Sequence, residues 1–375
     1  MTPFGITAPG RILFGRGEAA KAPVLIRSFG PRGVVVHGAN PVRAAWLVEA
    51  LGPDVLALPC AGEPTLTDLT AALAVAREHQ PDWVVSLGGG AALDLGKALA
   101  ALIPAPDGPM EHLEVVGKGL ALKADPLPFI ALPTTAGTGA EVTKNAVIGL
   151  PEAGRKVSLR DERMVARLAI VDPALTDGCP KAVTLASGLD AVTQVIEPYV
   201  SSKATPYSDA LTRPVIRPGM EALMRLMQGE DREARDRMAW VSLCGGMALA
   251  NAGLGAVHGF AGVIGGMTGA AHGAICGALL GPVLQVNRAA ASGQAHARLD
   301  EVCAALAGVL GSTADEAPLA LQAWAWAEGL PGLVSLGVRE DQHTEIVSMA
   351  TDASSMKGNP VRLSDDQLHT VLSLA

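Results

Sequence analysis

Four side chains in the second half of the sequence have the types and spacing to hold a divalent cation. They are Asp190 and Gln194 in GLDAVTQVIEPYVS, and His258 and His272 in GAVHGFAGVIGGMTGAAHG. Asp190 and Gln194 are four residues apart and would share one face of a helix. His258 and His272 are 14 residues apart, about 21 Å along one straight helix, whereas imidazoles sharing a metal each bind it at about 2.0–2.1 Å. The helix must therefore break for them to meet, and Gly265, Gly266 and Gly269 lie between them, glycine being what such a reversal needs. Taken singly, each histidine reads as an ordinary core residue. Together, in a segment without charge, they read as two ligands beside a carboxylate and an amide.

A second group has the chemistry of phosphate binding. Gly88-Gly89-Gly90-Ala91-Ala92-Leu93-Asp94-Leu95-Gly96-Lys97 follows the strand-like WVVSL and opens a helix, so backbone N–H groups at that helix start would face an anion such as a pyrophosphate. The pattern is not G-x-G-x-x-G, because position 93 is Leu, and alone it is a tight strand-to-helix turn. The next strand, however, ends in Pro133-Thr134-Thr135-Ala136-Gly137-Thr138-Gly139-Ala140-Glu141-Val142-Thr143. Two Gly- or Thr-rich loops at the carboxyl ends of parallel strands are where an open α/β sheet binds its ligand.

These groups need a scaffold, and the pattern of the chain predicts one. Strands are expected at 32–37, 54–58, 83–87 and 129–132, with helices at 42–51 and 66–79 between them, a nucleotide-binding layout. After Pro180 no period-two strand is evident, and helices with breaks near Gly229, Gly265–Gly266, Gly311 and Gly332 are expected instead. The expected fold class is therefore α/β followed by all-α. A Rossmann-like dinucleotide domain would occupy residues 1–180 and a helical domain residues 181–375.

Composition supports a folded chain of this size: 375 residues, 49% hydrophobic, 18% charged. The net charge of −8 provides no basic field for nucleic acid. The run from Met238 to Asn287 has 50 residues without Asp, Glu, Lys or Arg, but Gly, Asn251, His258, Thr268 and His272 interrupt it. It reads as a buried segment rather than a membrane span. Five cysteines without a C-x-x-C pair read as reduced core residues, and the N-terminus lacks a signal-peptide pattern, so a cytoplasmic protein is expected. His37 would sit at a strand end. His79, His112, His296, His343 and His369 would be surface or helix-end residues, Ser354–Pro360 a solvated loop, and 364–375 a capped helix.

With these motifs in place, the chain resembles the iron-containing, group III alcohol dehydrogenase family over nearly its whole length, in a branch near the maleylacetate reductases. GGGAALDLGK is similar to that family's GGGS-x-x-D-x-x-K with Ala91 in place of Ser. PTTAGTGAEVT is similar to PTTAGTGSEVT, DPALT at 172–176 to a familiar strand exit, and GLDAVTQ to the D-A-x-x-H helix. The resemblance implies a dehydroquinate synthase-like fold, NAD(P), and a divalent metal, Fe or Zn, held by one Asp and three His. Asp190, His258 and His272 match ligands and catalytic positions, but the second ligand is Gln194, and Gly262 stands where the family commonly has a further His.

Cofactor contacts are implied at Gly38, Asn40, Gly89, Gly90, Ala91, Asp94, Thr134, Thr135, Thr138 and Lys156, with the first three loop positions on the pyrophosphate. NAD-preferring members tend to carry an Asp after the first strand. Here Gly38-Ala39-Asn40 stands there, with Arg43 nearby to meet a 2′-phosphate. A small alcohol, aldehyde or ketone is the implied substrate, and a homodimer the implied assembly. Two alternatives stay open: a metal-free reductase of an oxo-acid using Lys144, Lys357 or His258, and a cofactor-binding protein without redox activity.

Overall fold

A computed structural model describes residues 3–375 as two compact units, Thr7–Thr135 with Gly139–Asp177, and Gly178–Ala375 with Ala136–Thr138 and residues 3–6. The first unit is built on a parallel sheet. Its strands are β1 (Ile12–Phe14), β2 (Gly33–Gly38), β3 (Val55–Cys60), β4 (Trp83–Gly88), β5 (Phe129–Pro133) and β8 (Leu168–Val171), in the order β1-β8-β5-β4-β2-β3. A separate antiparallel pair, β6 (Asn145–Leu150) and β7 (Arg155–Arg160), joins Asn145 to Arg160 and Gly149 to Lys156.

The four inner strands β8, β5, β4 and β2 are largely apolar runs buried on both faces, as parallel strands covered by helices must be, while the edge strands β1 and β3 are part-exposed. One face packs Val35, Val85, Ile130 and Leu132 against α1 (Ala22–Arg27) and α2 (Val42–Leu51). The other packs Val34, Val36 and Val84 against α3 (Leu66–His79) and α4 (Gly90–Leu102). The chain leaves β2 toward β3 on one side and resumes with β4 on the other, so the β2/β4 boundary is the switch point of the sheet. Gly38 and Gly88 end those two strands. A short helix, α5 (Pro109–His112), precedes β5, and His112 is buried there, not on the surface.

The second unit is helical: α6 (Lys181–Val200), α7 (Pro206–Thr212), α8 (Ile216–Gln228), α9 (Arg232–Ala252), α10 (Ala256–Thr268), α11 (His272–Ala290), α12 (Gly293–Leu310), α13 (Ala317–Ala327), α14 (His343–Thr351) and α15 (Asp365–Leu374). Its core runs through Leu189, Val192, Ile196, Phe260, Ile264, Ile275 and Leu279, so the uncharged run forms much of its interior. Close approach explains why that run is rich in glycine. A Cβ on Gly273 would lie 2.5 Å from the Ala186 carbonyl oxygen, and one on Gly277 2.7 Å from Leu189 Cδ1, so α11 can press onto α6 only without side chains there.

Among the described residues no single helix is long and apolar enough to cross a membrane; α9 and α10 satisfy the length and composition only as a pair, bent by 98°. The parallel sheet and the helical second half are as expected. The short β1 and the β6–β7 pair were not, while β8 ends where the expected strand exit DPALT begins. The expected helix break at Gly265–Gly266 falls instead at Gly269, whose φ of 71° ends α10 in the left-handed region. The segment around Met356–Gly358 is packed rather than solvated: Asn359 is buried, exchanges hydrogen bonds with Asn287 and accepts from the Ala256 N–H.

Candidate active site

Three helices of the second unit bring four ligand-type side chains together. Asp190 lies in the middle of α6, His258 in the first turn of α10, and His272 opens α11 with Cys276 one turn later. One ligand atom from each lies within 4.8 Å of every other. Asp190 Oδ1 is 3.3 Å from His258 Nε2 and 3.8 Å from His272 Nε2, and the two rings are 5.3 Å apart. Asp190 is buried to 1% exposure, and its Oδ1 receives no hydrogen bond of good geometry. A buried carboxylate oxygen left so is costly unless a cation satisfies it. The donor set of two imidazoles, a carboxylate and a sulfur suits a borderline divalent ion, so these residues fit the metal that the sequence implies.

The far side of His258 is held as firmly. Its Nδ1 lies 2.6 Å from Glu197 Oε2, while Glu197 Oε1 accepts from the Val257 N–H at 2.7 Å. The carboxylate therefore fixes the ring so that Nε2 points to Asp190, and it also faces the N-terminal end of α10. Burial alone would lower the His258 pKa, but Cys276, Glu197 and Asp190 raise it well above the usual imidazole range. For His272 the same opposition, with Cys276 and Asp190 winning over burial, gives a value of about 9. Burial pushes Asp190 up, yet His272, His258 and Gln194 hold it below the usual carboxylate range. The pocket thus favours positive charge despite its burial.

Gln194 is buried one turn after Asp190 on the same face of α6; its Nε2 donates to the Gly137 carbonyl at 3.2 Å and its Oε1 has no partner. At Gly262 an added Cβ would meet nothing within 4 Å, so the position has room for the side chain it lacks. Two residues of the site escaped the sequence reading. Glu197 is seven residues after Asp190, and Cys276 four after His272. Both spacings place them on the ligand-bearing faces, and that periodicity was the available signal.

In the first unit, Gly89 caps α4 without a side-chain hydrogen bond, leaving the N–H groups of Gly90 and Ala91 at the helix start. A Cβ on Gly88 would stand 2.5 Å from Ala92 Cβ and 3.3 Å from the Gly38 nitrogen, and one on Gly89 3.3 Å from Thr135 Oγ1. Gly38, Gly88, Gly89 and Thr135 therefore gather at the switch point, with the Thr134 N–H donating to the Gly88 carbonyl. A helix start with open N–H groups and glycine on either side fits a pyrophosphate. Thr138 is half-buried and belongs with the second unit.

Other expected cofactor residues have protein partners. Asp94 accepts from the Val147 N–H at 3.1 Å and lies 3.8 Å from Lys97 Nζ. Lys97 is fully buried and donates to Thr143 Oγ1 and the Asn145 carbonyl. Burial lowers its pKa to about 8 and raises that of neighbouring Glu141 to about 7. Lys156 on β7 pairs with Glu63, and Lys144 with Glu162. Asn40 Oδ1 accepts from the Val42 N–H, while Arg43 is exposed and reaches the Leu175 carbonyl at 2.6 Å.

An α/β unit with a phosphate-type helix start, and a helical unit with an Asp–His–His cluster, are the features that an enzyme using a dinucleotide and a metal would need. The model of the iron-containing alcohol dehydrogenase matches residues 9–173, and that of the family's C-terminal part matches 184–375. This chain belongs to the iron-containing alcohol dehydrogenase family. It is 39% identical over 232 residues to the probable alcohol dehydrogenase EutG of Escherichia coli, a match covering 61% of this chain and 58% of that one. It is 30% identical over 374 residues to the NAD-dependent methanol dehydrogenase of Bacillus methanolicus, covering 96% of each. Among solved structures, a 1,3-propanediol oxidoreductase superposes with a TM-score of 0.87 at 26% identity, covering 99% of each chain.

Proposed function

We propose that this chain interconverts a small alcohol and its aldehyde or ketone by hydride transfer to and from NAD(P), with a divalent ion held by Asp190, His258 and His272. The observation that carries this reading is the convergence of two imidazole nitrogens on a buried carboxylate oxygen that lacks a donor. A divalent ion there supplies Lewis acidity toward a substrate oxygen. Asp190 brings negative charge, the imidazoles bring neutral nitrogen donors, and Glu197 keeps His258 in the tautomer with its Nε2 free. Gly89, Gly90 and Ala91 present N–H groups to the cofactor pyrophosphate, with Thr134 and Thr135 beside them. A nicotinamide bound there would supply or accept the hydride.

Gly38-Ala39-Asn40 puts no carboxylate after β2, so NADPH is accepted at least as well as NADH, with exposed Arg43 available to a 2′-phosphate. The test is cofactor oxidation across a panel of small aldehydes and ketones, before and after dialysis against a chelator, with kcat/KM for both cofactors. Activity that falls at least tenfold on dialysis and returns with Zn(II) or Fe(II) is the expected result. Full activity with no bound metal would favour an oxo-acid reductase, and silence across the panel would remove the enzymatic reading.

A further inference from the structure

We propose that Cys276 is a metal ligand of this site, a thiolate that takes up the coordination position for which Gln194 provides only a neutral amide. This rests on the reading that a divalent ion binds at Asp190, His258 and His272. The sulfur lies 3.6 Å from His272 Nε2 and 3.9 Å from His258 Nε2. A tetrahedral ion with oxygen and nitrogen at about 2.0–2.1 Å and sulfur at about 2.3 Å has N–O edges of about 3.3 Å and N–S edges of about 3.6 Å. The observed N–O separations are 3.3 and 3.8 Å, so four of the six edges are within half an ångström of the ideal values without an ion to draw them in, and the other two are within 4.8 Å.

Cys276 is fully buried, one turn from His272 on the same helix face, so its position is set by α11 and not by a mobile side chain. Gln194, by contrast, has only its neutral Oε1 to offer, an oxygen without a partner, because its nitrogen is engaged by the Gly137 carbonyl. Charge supports the assignment: the Asp190 carboxylate and one thiolate neutralise a divalent ion, while the other buried carboxylate, Glu197, is taken up by the His258 ring and the Val257 N–H. On binding, the Sγ–H bond breaks and an Sγ–metal bond forms. The sulfur keeps the electron pair, the proton passes to buffer, and no oxidation state changes. A thiolate in the set turns the site toward zinc and away from ferrous iron.

The experiment loads the apo protein with Co(II) or Zn(II) alone. With Co(II), a thiolate-to-metal charge-transfer band is expected in the near ultraviolet. It disappears in Cys276→Ser, persists in Gln194→Ala, and the Co(II) dissociation constant rises at least tenfold in Cys276→Ser. X-ray absorption of the Zn(II)-loaded wild-type protein needs no variant to fold, and one sulfur scatterer at about 2.3 Å is expected. Metal bound at unit stoichiometry with only nitrogen and oxygen neighbours would overturn the role of Cys276 and leave the metal-dependent reading standing. Failure of the wild type to retain either metal would overturn both.

Discussion

At the scale of single residues, the site depends on side chains that touch no ion themselves. Glu197 accepts from both the His258 ring and the Val257 N–H. Glutamine in its place has one acceptor oxygen for two donors, so an NH2 group must face one of them. Glu197→Gln is therefore expected to weaken Zn(II) binding by about 10–100-fold, measured by competition with a chromophoric chelator. An unchanged dissociation constant would show that His258 is oriented by packing alone. His258 and His272 were legible because imidazole stands out in a segment without charge, and Asp190 because it pairs with Gln194 at a spacing of four in GLDAVTQ. Cys276 was not, because a buried cysteine has the composition of an ordinary core residue, and only the meeting of α10 and α11 shows what it faces.

At the scale of elements, the turn after β4 is where sequence and packing constrain each other most tightly. A Cβ on Gly96 would fall 1.9 Å from Ser86 Oγ and 3.1 Å from Phe129 Cε2, so α4 lies against β4 and β5 only because position 96 has no side chain. Ser86 Oγ meanwhile donates to the Ala92 carbonyl at 2.8 Å. Gly96→Ala is expected to destabilise the protein by about 1–3 kcal/mol through overpacking. Adding Ser86→Ala should recover part of that loss, because the nearest clash goes with the hydroxyl. Thermal or urea unfolding of the two single variants and the double variant measures the coupling, and simple additivity would show that the helix shifts instead. The strands and helices of this region were legible within one or two residues because each strand is a short, dense apolar run. The β6–β7 pair escaped because NAVIGL is short and holds Asn and Gly while RKVSLR has basic residues at both ends, and β1 because three residues carry too little pattern.

At the scale of the whole molecule, the candidate ligands are contributed by α6, α10 and α11 of one compact unit, and none by the sheet. The composition that sets this chain apart, a long uncharged and glycine-rich run, forms the interior of that same unit. An ion binding Asp190 therefore links three helices that otherwise meet through apolar contacts, close glycine approaches and the Glu197 bonds to His258 and Val257. Binding to the folded state alone adds about 2.7 kcal/mol when free metal is 100-fold above its dissociation constant, and that gain belongs to the unit that holds the ion. Hydrogen exchange of the apo and Zn(II)-loaded protein tests this directly. Slower exchange is expected in peptides from Lys181–Val200, Ala256–Thr268 and His272–Ala290, with little change in Trp83–Gly88 and Phe129–Pro133. Adding NADPH should give the complementary pattern, with protection at the start of Gly90–Leu102. Zinc-dependent protection spread evenly over the sheet, or absent from the three helices, would place the ion somewhere other than Asp190.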